Sequence, residues 1–427
     1  MLRQTQERMS SRAASALVLV MVALAGCDGS GSTAQDPTQK TNSVPTAVAT
    51  AKAANTSVSP QIVTADNAFG LSILQALQAQ AGPVNQFISP LSLSMALQIA
   101  YAGASGTTQD AMAQTLQLGS YTTQQVNDAN AALQASLIDA DPQVQLTIAN
   151  SLWIHQSQNA VLPAFIQMDQ DYYGATIGDL AGAPADVNAW AAQQTNGLIT
   201  SILPPGNYSR MTALIANAIY FKGQWTSRFD PNATVSAPFV LSDGTTVSVN
   251  MMAQTATVAY LHGTDFQMVR LPYGNGRMSM LIVLPDAGEA LTDFLPRLTL
   301  DALNASIGQM QKEYGAVALP KFTVTYSNEM VPTLKALGMA VALECPGANF
   351  SALTTVPVCI DSVLHAARIE VDETGTVAAA VTTVGTIITA VQAPQFNLTL
   401  DHPFLYAIRD DETGELLFIG TLLDPTK

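Results

Sequence analysis

Charge is scarce in this chain: Asp, Glu, Lys and Arg make up 11% of its 427 residues, while 48% are hydrophobic. The balance is acidic, with 17 Lys and Arg against 32 Asp and Glu and a formal net charge of −15, and the cations nowhere form a run. Such a surface repels phosphate backbones and anionic lipid headgroups, so nucleic acid is excluded as a partner. Histidine is also rare, with four in all: His155, His262, His365 and His402. None stands in HExxH spacing, and CxxC, GxSxG and a glycine-rich phosphate loop are all missing. No cofactor and no metal site is therefore expected. A Ser–His–Asp triad is defined by geometry rather than spacing, so this reading leaves it open. His365 and His402, which flank apolar strand-like runs, read more simply as buried, hydrogen-bonded histidines.

Cysteine occurs three times. Arg3, Arg8 and Arg12 precede the apolar run 13–26, which ends in small residues just before Cys27. A basic start, a short apolar core and small residues at its end make a secretory signal, and the run is too short for a comfortable membrane span. LAGC at 24–27 resembles a bacterial lipobox, whose cysteine is lipidated; the alternative is an ordinary signal peptide cut near Ala25. Residues 28–60, rich in Gly, Ser, Thr, Pro and Ala, read as a flexible tether. The expected location is the cell envelope of a bacterium, by lipid anchor, or the extracellular space. Cys345 and Cys359 then lie outside the cytosol, either as a disulfide or as two free thiols.

From residue 61 to 427 the chain reads as one domain without repeats or a second linker. Residues 66–80, 89–104, 124–137 and 184–203 carry helical spacing, the second opening on Ser89-Pro90 and the last stopping at Asn196-Gly197. Residues 144–155 and the almost wholly apolar 211–225 read as strands, the latter buried on both faces. Hairpins are expected at 237–252, around Asp243-Gly244, and at 266–286; 315–326 reads as one strand, 327–338 as a short helix and 396–425 as three strands. Helices lead and strands follow without βαβ alternation, which predicts an α+β fold with antiparallel sheets.

One stretch fits none of these roles. After Glu373, residues 374–394 contain no charge and few residues larger than Val or Ile. Thr376, Ala378, Ala380 and Thr382 would form one face of a strand, and Val377, Ala379, Val381 and Thr383 the other. Gly375 supplies the freedom to turn.

Several blocks together resemble the serpin family over about 64–427. They are residues 85–112, NAIYFKGQW at 217–225, 238–252, LPYGNGRMSMLIVLPD at 271–286, 319–339, SVLHAARIEVDETGTVAAA at 362–380 and DHPFLYAIRDDETGELLFIGTLLDP at 401–425. The resemblance implies three β-sheets, about nine helices and an exposed reactive loop over about 373–394. It implies suicide inhibition of a serine protease, with a monomeric inhibitor and no enzymatic activity of its own. A non-inhibitory member acting as carrier or chaperone is the alternative. Family spacing places the reactive bond at Thr389–Ala390, with Ile388 as neighbouring alternative. The hinge falls on Glu373, Gly375, Thr376, Ala378, Ala379 and Ala380, whose small side chains resemble those of inhibitory members. Ser89, Ser92, Asn217 and His365 match the polar cluster beneath the opening sheet. Trp225, Lys321 and Glu373 match the place where the loop first enters, with Lys321 and Glu373 as an expected ion pair. Residues 124–137, the counterpart of the helix that binds glycosaminoglycans in some members, hold no Lys or Arg, so no such cofactor is expected.

Overall fold

The computed structural model describes residues 57–155, 161–376 and 393–427. Nine α-helices occur among the described residues: α1 (Pro60–Ala81), α2 (Pro90–Gly103), α3 (Thr107–Thr115), α4 (Thr123–Leu137), α5 (Pro163–Tyr172), α6 (Ala185–Gln194), α7 (Leu291–Phe294), α8 (Leu300–Gln309) and α9 (Val331–Leu334). The strands are β1 (Gln86–Ile88), β2 (Val144–Ile154), β3 (Thr176–Asp179), β4 (Ala213–Gln224), β5 (Val235–Val240), β6 (Thr246–His262), β7 (Phe266–Pro272), β8 (Met278–Pro285), β9 (Gln311–Pro320), β10 (Phe322–Glu329), β11 (Ile360–Val371), β12 (Gly375–Thr376), β13 (Phe396–Thr399), β14 (Phe404–Asp410) and β15 (Leu416–Leu422).

Local chemistry accounts for the helix starts. α1, α2 and α5 each carry proline in the first turn, where the missing N–H has no partner to lose. The Ser89 hydroxyl caps α2 by accepting from Ser92 N–H at 3.1 Å, and Thr122 with Gln125 closes a capping box on α4. Every residue of α2 except Ala102 is buried, which makes it the central helix and explains its lack of an amphipathic pattern.

The strands form two ladders. The nine-stranded one runs β1-β15-β14-β8-β7-β6-β9-β13, with β5 also on β6. The 17-residue β6 joins two strand groups, pairing with β5 near its start, β7 at its end and β9 along most of its length. The six-stranded ladder runs β10-β11-β4-β2-β3, with β12 also on β4. The single strand read at 315–326 is in fact two, β9 and β10, which break at Lys321 and enter different ladders. Pro320 ends the first and has no N–H to continue it.

At the centre of the six-stranded sheet β4 and β11 run parallel. Ala213, Ile215, Ile219 and Phe221 of β4 face the main core, and Leu214, Ala216 and Ala218 face a second cluster built around Trp153 and Trp190. Burial on both faces is why the strand is apolar at nearly every position. Cys345 and Cys359 are joined by a disulfide, with Cα atoms 5.5 Å apart.

Candidate functional site: the cleft between two central strands

β4 and β11 pair from Ile360 beside Ala213 up to Arg368 beside Tyr220. Beyond that point they part. β11 continues along β10 to Val371, and β4 continues along β2 to Gly223. The chain after β11 turns back, and β12 lies antiparallel on β4, with Gly375 opposite Gln224 and Thr376 opposite Gly223.

The turn is set by Asp372. Its carboxylate accepts from the Thr374 N–H and hydroxyl at 2.8 and 2.7 Å and from Gly375 N–H at 3.2 Å, while its own N–H donates to Gly375 O at 3.0 Å. Gly375 has φ +144°, and a Cβ on it would stand 2.1 Å from Gly223 O. Only glycine fits there. The turn is also fastened to the segment after β4. Trp225 N–H donates to Thr374 O and Phe229 N–H to Glu373 O, at 2.9 and 3.0 Å, and the Trp225 indole donates to Asp372 O at 2.9 Å.

Glu373 takes Lys321 Nζ at 2.7 Å on one oxygen and the Thr234 hydroxyl at 2.7 Å on the other. Partial burial pushes this carboxyl up, but the two hydrogen bonds and the Lys321 charge outweigh it and hold the group below its ordinary range. Thr376 is fully buried, with its hydroxyl 3.1 Å from that of Tyr273. Tyr273 stacks on Trp225, ring centres 4.3 Å apart and planes 12° apart, and burial pushes its hydroxyl up so that it stays protonated. Trp225, Lys321, Glu373, Gly375 and Thr376, predicted as entry and hinge residues, therefore meet at one place. Tyr273, Thr234, Asp372 and Phe229 were not predicted; Tyr273 lies inside LPYGNG, where its only sequence signal is an aromatic residue next to a turn.

Midway down the same strands lies the polar cluster. His365 of β11 is the register partner of Asn217 of β4. Ser89 N–H donates to His365 Nε2 at 3.1 Å, so the proton sits on Nδ1, which donates to Asn217 Oδ1 at 2.7 Å. Asn217 Nδ2 donates to the Ser92 hydroxyl and to Asn150 Oδ1 of β2, the latter at 2.6 Å. Ser89, Ser92, Asn217 and His365 are all buried, and burial drives the imidazole pKa down to about 3. One neutral, fully hydrogen-bonded group thus ties α2 to three strands. It is no nucleophile pair, since Ser89 offers the ring its backbone N–H and uses its hydroxyl as a helix cap. Among the described residues no group of three or more His, Cys, Asp or Glu side chains is arranged to hold a metal. Ala378, Ala379, Ala380, Ile388, Thr389, Ala390 and Cys27 lie outside the described residues.

Three comparisons bear on this geometry. The family model described as serpin (serine protease inhibitor) matches residues 64–425. Serpin-ZX of Arabidopsis thaliana is 33% identical over 369 residues, covering 80% of this chain and 92% of that protein. Leukocyte elastase inhibitor of Homo sapiens is 32% identical over 381 residues, covering 86% of this chain and 100% of that protein. Among solved structures, the thermophilic serpin tengpin in its native state superposes with a TM-score of 0.78 at 28% identity, covering 86% of this chain and 95% of that one.

Proposed function

The chain belongs to the serpin family, and we propose that it is a suicide inhibitor of serine proteases of elastase-like or subtilisin-like specificity, held at the bacterial cell envelope through lipid on Cys27. The observation that carries this reading is β12, already seated on β4 where β11 has drawn away. A strand continued in that register would bring Ala378 opposite Phe221, Ala380 opposite Ile219, Thr382 opposite Asn217 and Thr386 opposite Ala213.

Residues directly opposite share a face, so these positions would turn toward the main core, as buried Thr376 does already. All are small and uncharged, which entry into a packed sheet requires. Val377, Ala379 and Val381 would turn to the other face, where Ala218, opposite Val381, belongs to the Trp153–Trp190 cluster. The strand reaches the end of β4 near Thr386, three residues short of the bond at Thr389–Ala390.

In this reading the protease serine attacks the Thr389 carbonyl, the bond to Ala390 breaks, and the new amine leaves. The ester-linked loop then inserts beside β4 and carries the protease about 33 Å along the sheet at ~3.3 Å per residue. Ten further residues of ladder, at roughly 1 kcal/mol per hydrogen bond, release on the order of 10 kcal/mol, which makes the uncut protein a kinetically trapped state. The residues flanking the bond, TIITAV at 386–391, offer no cation to a trypsin-like acidic pocket but suit a small apolar one. The similarity to a leukocyte elastase inhibitor supports the same target class.

The test is incubation with a panel of elastase-like, subtilisin-like and trypsin-like proteases. Expected are SDS-stable complexes with the first two and a released peptide beginning at Ala390. Cleavage without any complex, and without a rise in melting temperature, would favour a carrier.

A further inference from the structure

Away from the cleft, two carboxyl groups are enclosed together where α1 meets the turn between β14 and β15. Asp66 on α1 and Glu415 at the head of β15 are both fully buried. Asn67 fixes the turn against the helix: its Nδ2 donates to Gly414 O at 2.9 Å and its Oδ1 accepts from Leu416 N–H at 2.8 Å. Asp66 Oδ1 accepts from the Ser94 hydroxyl and from Gln98 Nε2, the latter at 2.9 Å, both on α2. The other Asp66 oxygen and both Glu415 oxygens are buried without a hydrogen-bond partner.

No cation is committed to either group among the described residues. From the β14–β15 side, Asp410 is paired with Arg277 at 2.7 Å, and Arg277 also reaches Glu412 at 3.2 Å. Asp411 is paired with Arg409 at 2.5 Å and with Arg270 at 3.2 Å. Arg409 keeps a buried Nε without an acceptor but forms no ion pair with Glu415. From α4 Asn130 is bonded to Gln98; α5 brings a further buried acid, Asp169, and its C-terminal cap residue Tyr173. Two carboxylates here would be desolvated neighbours of like charge, whereas two carboxylic acids are tolerable.

We propose that Asp66 and Glu415 act as a proton-held brace: protonated, they pack α1 and α2 against the β14–β15 turn, and loss of those protons loosens α2 and eases opening of the cleft between β4 and β11. The same helix α2 carries Ser94 and Gln98 to Asp66 and, one turn earlier, Ser89 and Ser92 to the His365–Asn217 pair. Burial raises Asp66 to about 7 against the opposing hydrogen bonds of Ser94 and Gln98, and burial with the charges of Asp66 and Asp410 raises Glu415 well above its ordinary value. Both folded pKa values exceed the unfolded ones, so the brace is at full strength below the ordinary carboxylate range and weakens as pH rises toward and beyond about 7.

The brace stands independently of the inhibitory reading; its link to the cleft rests on that reading. The experiment is the melting temperature of the full chain from about pH 7 to about pH 9, a window above the ordinary value of His365, in which the ring is neutral in the folded chain and mostly neutral in the unfolded one. The wild type should lose several degrees with rising pH, and Asp66→Asn/Glu415→Gln should keep only the small slope that Asp169 supplies. Asp169→Asn should keep most of the slope. A double variant that falls as steeply as wild type overturns the brace. Should it fail to fold, the wild type alone decides through the infrared carbonyl band of protonated carboxyl groups at neutral pH: its absence overturns the proposal. Uncleaved protein held at each end of the pH range, then assayed at one common pH for complex formation, tests the link. Faster alkaline loss in wild type alone supports it, and equal loss in the double variant overturns it. Absence of complexes at every pH overturns the inhibitory reading and leaves the brace standing.

Discussion

The Tyr273 hydroxyl stands 3.1 Å from the Thr376 hydroxyl, and both side chains are buried beneath the first turn of the returning chain. This pair fixes which β4 residue each later loop residue would meet, because Thr376 sits opposite Gly223 and a slip of one position would turn every side chain to the wrong face.

A double-mutant cycle should therefore find coupling. Tyr273→Phe and Thr376→Val each leave the partner hydroxyl buried and unpartnered, at about 1–3 kcal/mol, whereas the double variant removes both groups and should be less destabilised than the sum. Chemical denaturation of the four proteins measures this. Strict additivity would show that the two hydroxyls do not act as a pair.

Gly375→Ala places a methyl group against Gly223 O in a backbone conformation that costs a non-glycine residue about 1–3 kcal/mol. Since the clash is between β12 and β4 only, the expected effect is local: hydrogen exchange at Thr376 accelerates while protection along β4–β11 from Ile360 to Arg368 is kept. Unchanged protection at Thr376 would mean that the turn accommodates a side chain.

Thr376→Arg puts a guanidinium where the hydroxyl now lies in full burial beside Tyr273. Removing such a charge from water costs several kcal/mol, enough to block seating of the strand. The variant should be cut as a substrate at an unchanged bond, with no SDS-stable complex. Persistence of complexes at wild-type stoichiometry would break the connection between β12 and inhibition.

Legibility followed burial. The apolar runs that became α2 and β4 could be read directly, because residues buried on every side leave a continuous pattern, whereas the Lys321–Glu373 pair was expected only from the resemblance to the serpin family. The division of 315–326 into β9 and β10 could not, since the apolar alternation runs through Pro320-Lys321 and only the path of the two ladders separates them. Tyr273 and Thr234 come from segments distant in sequence from the hinge they support. Glu415 was the least legible: DDETGE looks like a solvated turn, and only the packing of α1 over it removes the last acid from water.

His365 makes a prediction of opposite sign to the carboxyl brace. Its folded pKa is about 3, below the ordinary value, so between about 6.5 and 3 the unfolded chain binds a proton that the folded chain refuses. The stability this group supplies is complete above about pH 6.5 and declines by ~1.4 kcal/mol for each pH unit below it. Asp66 and Asp169 drift the other way over part of that range, so the quantity to measure is the difference between wild type and His365→Gln. The variant starts less stable at neutral pH, because Ser89 N–H and Asn217 lose their shared partner, and the gap should narrow steadily on acidification. A gap independent of pH between about 6.5 and 4 would mean that the imidazole takes up its proton without breaking the Ser89–His365–Asn217 chain, and that the centre of the sheet is held by something other than this neutral ring.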